Sequence, residues 1–292
     1  MARSSAPQVA VTGVTGAVGG RVADLLAAGG TPLRLVARDT SRTSPPPGSE
    51  AVPGSYGDGE SMRRAFSGVR TVFLVSGRES ADRLHEHRTA IDAAVAAGVE
   101  RVVYLSFLGA APDCTFTLGR QHWATEQHLR SSGLAFTFLR DSMYADFVPV
   151  MVAAQERVIR GPAGTGAASF VARDDVAEVV AAVLRAEGAH DGATYDVTGP
   201  EALTMTDACG VLSRVVGEQV RYLPETLDEA YASRAVYGAP DWEVDGWVTS
   251  YVAIANGEMS AVSPTVERLT GHPATTLAQL LVRRPELVAH LR

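Results

Sequence analysis

The chain has 292 residues, 46% of them hydrophobic and 20% charged, with a formal charge of −7. That length fits one large α/β domain or a dinucleotide domain carrying a smaller substrate lobe, and the composition is that of an ordinary globular protein. The acidic balance argues against nucleic acid as the main partner, because phosphate binding needs a concentrated Lys/Arg face.

No stretch approaches the roughly 20 uninterrupted apolar residues of a membrane helix. The opening MARSSAPQ holds no apolar run long enough for a signal segment, so no membrane association and a cytoplasmic location are expected. Cys114 and Cys209 are far apart and belong to no CxxC or Cys/His cluster. Two buried free thiols are expected there.

In chain order, short β-branched runs alternate with alanine-rich stretches. Strands are expected at Gln8–Thr12, Leu33–Ala37, Thr71–Ser76, Arg101–Ser106 and Ala135–Leu139, and helices at Gly16–Ala28, Gly59–Phe66, Ala81–Ala97 and Gly119–Arg130. Gly29-Gly30, Gly68, Gly98 and Gly133 stand where helices end. Near-continuous apolar strands separated by helices indicate a parallel sheet covered on both faces, a Rossmann-type doubly wound α/β fold. The Ser41–Gly54 segment, with Pro45-Pro46-Pro47, reads as a loop leading into a short strand near Ala51–Pro53.

Beyond Leu139 the rhythm is less regular. The expected order is a helix near Met143–Arg157, a turn at Gly161–Gly166, a short strand at Ala168–Val171 and a helix capped by Asp174 or Asp175. A strand at Thr194–Val197 and a helix starting at Thr204 or Thr206 follow, and the chain is mostly helical from Glu225. Residues 1–142 are therefore assigned to the nucleotide-binding core. Residues 143–292 are assigned to a smaller, mostly helical C-terminal lobe, interleaved with the last core elements, 168–198 included.

The strongest motif is Thr12-Gly13-Val14-Thr15-Gly16-Ala17-Val18-Gly19, directly after a strand and opening a helix. Gly13 permits the tight turn, Gly16 lets backbone approach a pyrophosphate, and Gly19 lets the helix pack on its strand. Free N–H groups and the positive helix end then face the anion. The end of the second strand separates NAD from NADP: a carboxylate there accepts from the ribose 2′-OH, and an arginine takes a 2′-phosphate. Here Leu35-Val36-Ala37 runs into Arg38, which suits phosphate bidentately, and then Asp39, readable as a loop cap. NADP(H) is favoured, with NAD(H) the other possibility.

These motifs, TGVTGAVGG and LVARD, are joined by GSYGDGESMRRAFSGVRTVFLVS, YLSFLGA, HWATEQHLRSSGLAFTFLRDSMY, FVARDDVAEV and YDVTGPEALT. Through them nearly the whole chain resembles the NmrA-like, atypical short-chain dehydrogenase/reductase family, which includes bacterial NADPH:quinone oxidoreductases and triphenylmethane reductases. The resemblance implies that Val75-Ser76-Gly77 lines the cofactor beside the first loop. It places Ser55-Tyr56 where the family often has an Asp near the adenine, and Ser106-Phe107 near the nicotinamide ribose. Arg140-Asp141-Ser142 would lie under the nicotinamide, with Tyr144 pointing toward substrate.

A typical short-chain dehydrogenase moves its proton with a Tyr-x-x-x-Lys pair. The corresponding stretch here is His122-Trp123-Ala124-Thr125-Glu126, and the chain contains no lysine at all. His122 and Glu126 share a helix face, so Glu126 is read as orienting the imidazole and His122 as a proton donor or substrate wall, or the two as a pair without catalytic role. His85 and His87 flank Glu86 and diverge on a helix; they are read as solvated, and no metal site is expected.

Hydride transfer to a conjugated carbon needs positioning more than it needs an acid. Trp123, Met143 and Phe147, with Phe107 and Tyr144, would suit a flat acceptor. The favoured reading is an NADPH-dependent oxidoreductase of a quinone-like or conjugated small molecule. The alternatives are a non-catalytic NAD(P)-binding redox sensor and, less favoured, a sugar epimerase or dehydratase.

Overall fold

The computed structural model describes residues 8–292. Each apolar run of the first half is a strand and each alanine-rich stretch a helix. In order they are β1 (Val9–Val11), α1 (Ala17–Ala28), β2 (Leu33–Ala37), β3 (Glu50–Pro53), α2 (Gly59–Phe66) and β4 (Thr71–Leu74). Then come α3 (Arg83–Ala96), β5 (Arg101–Phe107), α4 (Thr117–Ser131) and β6 (Ala135–Asp141). The remainder comprises β7 (Val158–Gly161), β8 (Ala167–Ala168), α5 (Arg173–Arg185), β9 (Thr194–Val197), β10 (Leu203–Thr204) and α6 (Met205–Val216). It ends with β11 (Arg221–Pro224), α7 (Leu227–Arg234), α8 (Asp241–Ala255), α9 (Thr265–Thr270) and α10 (Leu277–Arg283).

Seven strands form one sheet in the order β3-β2-β1-β4-β5-β6-β9. The pairs from β3 through β5 are parallel, with Val9 opposite both Leu33 and Thr71. The strand order reverses between β1 and β4, the switch point at which doubly wound sheets open a crevice. The expected fold class is therefore present. One core cluster includes Ala10, Val36, Phe66, Leu74, Ile91, Tyr104, Leu129 and Phe138, all buried. Burying each of the valine, leucine, isoleucine and phenylalanine side chains among them contributes about 1.5–3 kcal/mol.

The described chain clusters into two units. The first takes in the described residues up to Phe107, with Gln121–Arg140 and Val176–Tyr195; the second is Leu108–Arg120, Asp141–Asp175 and Asp196–Arg292. In the second, β7 pairs with β11 in parallel and β8 with β10 antiparallel. Thr204, Thr226 and Thr276 each open a helix with a capping box, closed by Asp207, Glu229 and Gln279.

Two expectations fail in this unit and a third is shifted. The helix expected over Met143–Arg157 is a 3-10 segment, Ala145–Met151, because Pro149 inside it lacks an N–H and crowds the preceding turn. The strand expected at Ala168–Val171 is confined to Ala167–Ala168. Helix α5 starts at Arg173, one residue before the expected cap, so Asp174 and Asp175 lie inside its first turn, where their charge meets the positive helix end as expected. The Arg173 N–H donates to Asp146 at 2.9 Å, and buried Asp175 also accepts from Thr275. Cys114 and Cys209 are both buried free thiols, as expected. Among the described residues no helix is long and apolar enough to cross a membrane, and no His/Cys/Asp/Glu group could hold a metal ion.

Candidate functional site

The first unit carries a cleft of about 180 Å3 at the switch point, lined by Gly13, Thr15, Val36–Arg38, Gly54–Tyr56, Val75–Arg78 and Glu86. Its floor is set by strand ends. Gly13 has φ +62°, and a Cβ there would stand 2.9 Å from Val75 Cβ. A Cβ on Gly19 would lie 2.4 Å from the Gly13 carbonyl oxygen, so α1 packs directly on the loop before it. Thr12 accepts the Val75 N–H at 2.9 Å, and its hydroxyl lies 2.5 Å from the Tyr56 hydroxyl. Tyr56 in turn donates to the Val75 carbonyl at 2.7 Å. The ends of β1, β3 and β4 are thereby stapled together, and burial raises the Tyr56 pKa.

Helix α1 begins at Ala17 after Gly16, whose position supplies no side-chain cap, and its first turn has no acidic residue. Its unsatisfied N–H groups are thus left for an anion. At the end of β2 the Arg38 side chain is exposed and makes no hydrogen bond or ion pair with the described residues. Asp39 is committed elsewhere: its carboxylate accepts from the Ser41 N–H at 3.0 Å and the Ser41 hydroxyl at 2.6 Å. Those bonds hold its pKa below the usual range. The strand end therefore offers a cation and withdraws the anion.

A buried polar ring lies behind this cleft. The Gly77 N–H donates to His87 Nε2 at 2.7 Å, and Arg83 Nε donates to the Gly77 carbonyl at 3.0 Å. Arg83 Nη2 donates to His122 Nε2 at 2.8 Å, and His122 Nδ1 lies 3.0 Å from the Tyr104 hydroxyl. His87 Nδ1 donates to Thr125 at 2.9 Å and lies 3.4 Å from Tyr104. Because a donor faces Nε2 of each ring, both imidazoles are neutral with the proton on Nδ1. Burial, then the Arg83 charge, pushes His87 down to about 3 and His122 well below its ordinary value.

This geometry corrects three expectations. Glu126 does not hold His122: it is fully buried, accepts from Ser106 at 2.6 Å and takes the Arg140 fork at 2.8 and 2.7 Å. An arginine fork on a buried carboxylate outweighs a neutral imidazole one turn away. His122 is committed to Arg83 and Tyr104, not poised as a proton donor. His87 is buried rather than solvated, while His85 is exposed. The Ser106 hydroxyl and Arg140 guanidinium are likewise spent on Glu126, and the Phe107 ring leans on His122 with centroids 5.9 Å apart.

The second unit has its own pocket of about 440 Å3, lined by Met143, Phe147, Val150, Tyr237, Trp247 and Tyr251 among others. Its cations are already paired: Arg234 with Glu225 at 3.0 Å, and Arg160 with Glu156. Trp123 is elsewhere, on α4 of the first unit. Tyr144 turns its hydroxyl to Asp141 at 2.5 Å, under the Arg173 guanidinium 4.6 Å from its ring. Burial, then Asp141, raises its pKa well above the ordinary value. The Ser142 N–H donates to the Val197 carbonyl at 3.0 Å.

A family model described as NAD(P)H-binding matches residues 13–187. The chain belongs to the NAD(P)H-binding family. It is 33% identical over 279 residues to quinone oxidoreductase 2 of Escherichia coli (strain K12), covering 93% of this chain and 96% of that protein. It is 37% identical over 273 residues to the (4-alkanoyl-5-oxo-2,5-dihydrofuran-3-yl)methyl phosphate reductase of Streptomyces griseus, covering 91% and 94%. The crystal structure of the Escherichia coli NADPH-dependent quinone oxidoreductase complexed with NADPH matches with TM-score 0.85 and 31% identity, over 94% of this chain and 99% of that one.

Gly13, Thr15, Arg38, Ser55, Tyr56, Val75, Ser76 and Gly77 all line the switch-point cleft, and Gly16, Ala17, Val18 and Gly19 form the turn and first helical residues beside it. Sequence reasoning missed Arg78 and Glu86 on the cleft wall, and Arg83, His87 and Tyr104 behind it. A signal for His87 existed: Arg83, His87, Ala90, Ile91 and Ala94 recur at helical spacing along the buried stripe of α3.

Proposed function

We propose that this protein is an NADPH-dependent reductase of a conjugated small molecule. The observation that carries the cofactor choice is the end of β2, where Arg38 is unpaired and exposed while Asp39 is turned to Ser41. The α1 N-terminus and Gly13 hold the pyrophosphate, and Arg38 holds the 2′-phosphate. NADPH supplies the hydride when bound. The apolar, aromatic pocket of the second unit, with its cations internally neutralised, suits a flat acceptor of low charge.

No lysine exists to activate a tyrosine, Tyr144 is a weakened acid, and His122 is locked neutral by Arg83. An isolated ketone, which needs a proton as the hydride arrives, is therefore a poor substrate. A conjugated acceptor spreads the arriving charge over its own framework and takes its proton from water. The names of the two curated relatives, a quinone reductase and an oxo-dihydrofuran phosphate reductase, support that substrate class.

The test follows NADPH absorbance with a panel of quinones, enones and unsaturated lactones, and simple ketones as controls. Oxidation by conjugated members alone is expected. Tight NADPH binding with no oxidation by any member would overturn the reductase and leave a nucleotide-binding sensor.

A further inference from the structure

Glu86 is the sole carboxylate among the described residues lining the switch-point cleft. It sits in the first turn of α3, half-buried, and its carboxylate has no hydrogen-bond or ion-pair partner among the described residues. Neither cleft arginine, Arg38 or Arg78, is within ion-pair reach of it. Its oxygen Oε2 lies 3.7 Å from where a Cβ on Gly77 would stand, and its Cγ 3.9 Å from the same point on Gly57. It thus occupies the wall between the loops after β3 and β4.

An unpaired carboxylate is an odd neighbour for a ligand carrying several phosphate charges, since like charges in one cleft repel. It is favourable only where it accepts a hydrogen bond from a neutral donor of that ligand. Arg38 anchors the ribose phosphate at β2 and α1 faces the pyrophosphate, so the base is left for the β3–β4 side of the cleft. There the donor is the 6-amino group of adenine. The neighbouring Ser55 offers no carboxylate to take that role.

We propose that Glu86 accepts a hydrogen bond from the adenine 6-amino group and so selects adenine over 6-oxo purines. The assignment rests on NADPH being the cofactor. Hydrogen bonds to a charged acceptor are among the stronger ones, and a 6-oxo ring would place an oxygen against the carboxylate.

The experiment measures equilibrium binding of NADPH and its hypoxanthine analogue, in which oxygen replaces the 6-amino group, to the wild-type protein, Glu86→Gln and Glu86→Ala. The wild type is expected to favour NADPH by roughly ten- to a hundredfold. Glu86→Gln, whose amide both donates and accepts, should bring the ratio close to one, and Glu86→Ala should lose the preference while binding the analogue at least as well as the wild type. The ratio is internal to each protein, so a loss of stability alone does not move it. A ratio near one in the wild type, or one unchanged in both variants, would overturn the assignment. Failure of the wild type to bind NADPH at all would instead remove the cofactor reading and this assignment with it.

Discussion

Arg38 shows how one side chain decides chemistry through what its neighbour does. Asp39, next in the chain, would favour a ribose hydroxyl, but two bonds to Ser41 hold it in the loop. Arg38→Ala should therefore weaken NADPH binding about ten- to a hundredfold and NADH binding hardly at all, as read by fluorescence titration. Equal losses for both nucleotides would refute the 2′-phosphate role. Arg38 was legible because its place is fixed by the end of β2. The His122–Glu126 pair misled for the opposite reason. Helical spacing says which side chains can meet, not which partner wins, and the winners here came from β6 and α3. Glu86 and Arg78 were illegible because only folding brings the first turn of α3 and the loop after β4 to the cleft.

Among the elements, α1 depends on one close backbone contact at Gly19. Gly19→Ala would put a methyl group 2.4 Å from the Gly13 oxygen and 2.6 Å from its carbonyl carbon. Backbone cannot swing aside as a side chain does, so the helix must lift from the loop. We expect a loss of about 1–3 kcal/mol in denaturant unfolding, together with much weaker nucleotide binding. Unchanged stability and binding would show that the contact is relieved cheaply. Elements with strong periodicity were readable to the residue: β2, α2 and β9 have the expected bounds. The short strands β7, β10 and β11 were missed, since segments of two to four residues are defined by their partners rather than by their own pattern. The segment containing Pro149 looked helical by its apolar spacing, and the proline rule should have overridden that spacing.

For the molecule as a whole, the alternation of strand and helix made the sheet legible, while the arrangement of the second unit was not. The sheet repeats one rule, whereas the later part is a set of individual contacts such as Asp146 with the start of α5. Its acid stability follows from the first unit. His87 and His122 are neutral when folded, with pKa values depressed by burial and Arg83. In the unfolded chain each takes up a proton below about pH 6.5. The unfolded state thus binds more protons as pH falls from about 6.5 toward about 3, the folded value of His87, and stability present above that window is progressively lost within it. Denaturant unfolding between pH 6.5 and pH 5 should steepen toward about 1.4 kcal/mol per pH unit for each histidine. A flat profile over that interval would contradict the neutral assignment.

The ring that begins and ends at Gly77 carries a consequence for how this sequence can vary. Arg83, His87, Tyr104 and His122 each satisfy a neighbour that has no access to water, so replacing one leaves the next stranded. The cost of a single change is the unmet partner, about 1–3 kcal/mol, rather than the lost bond itself. Drift at these positions is therefore expected to be concerted: an arginine exchanged together with the imidazole it faces, or neither.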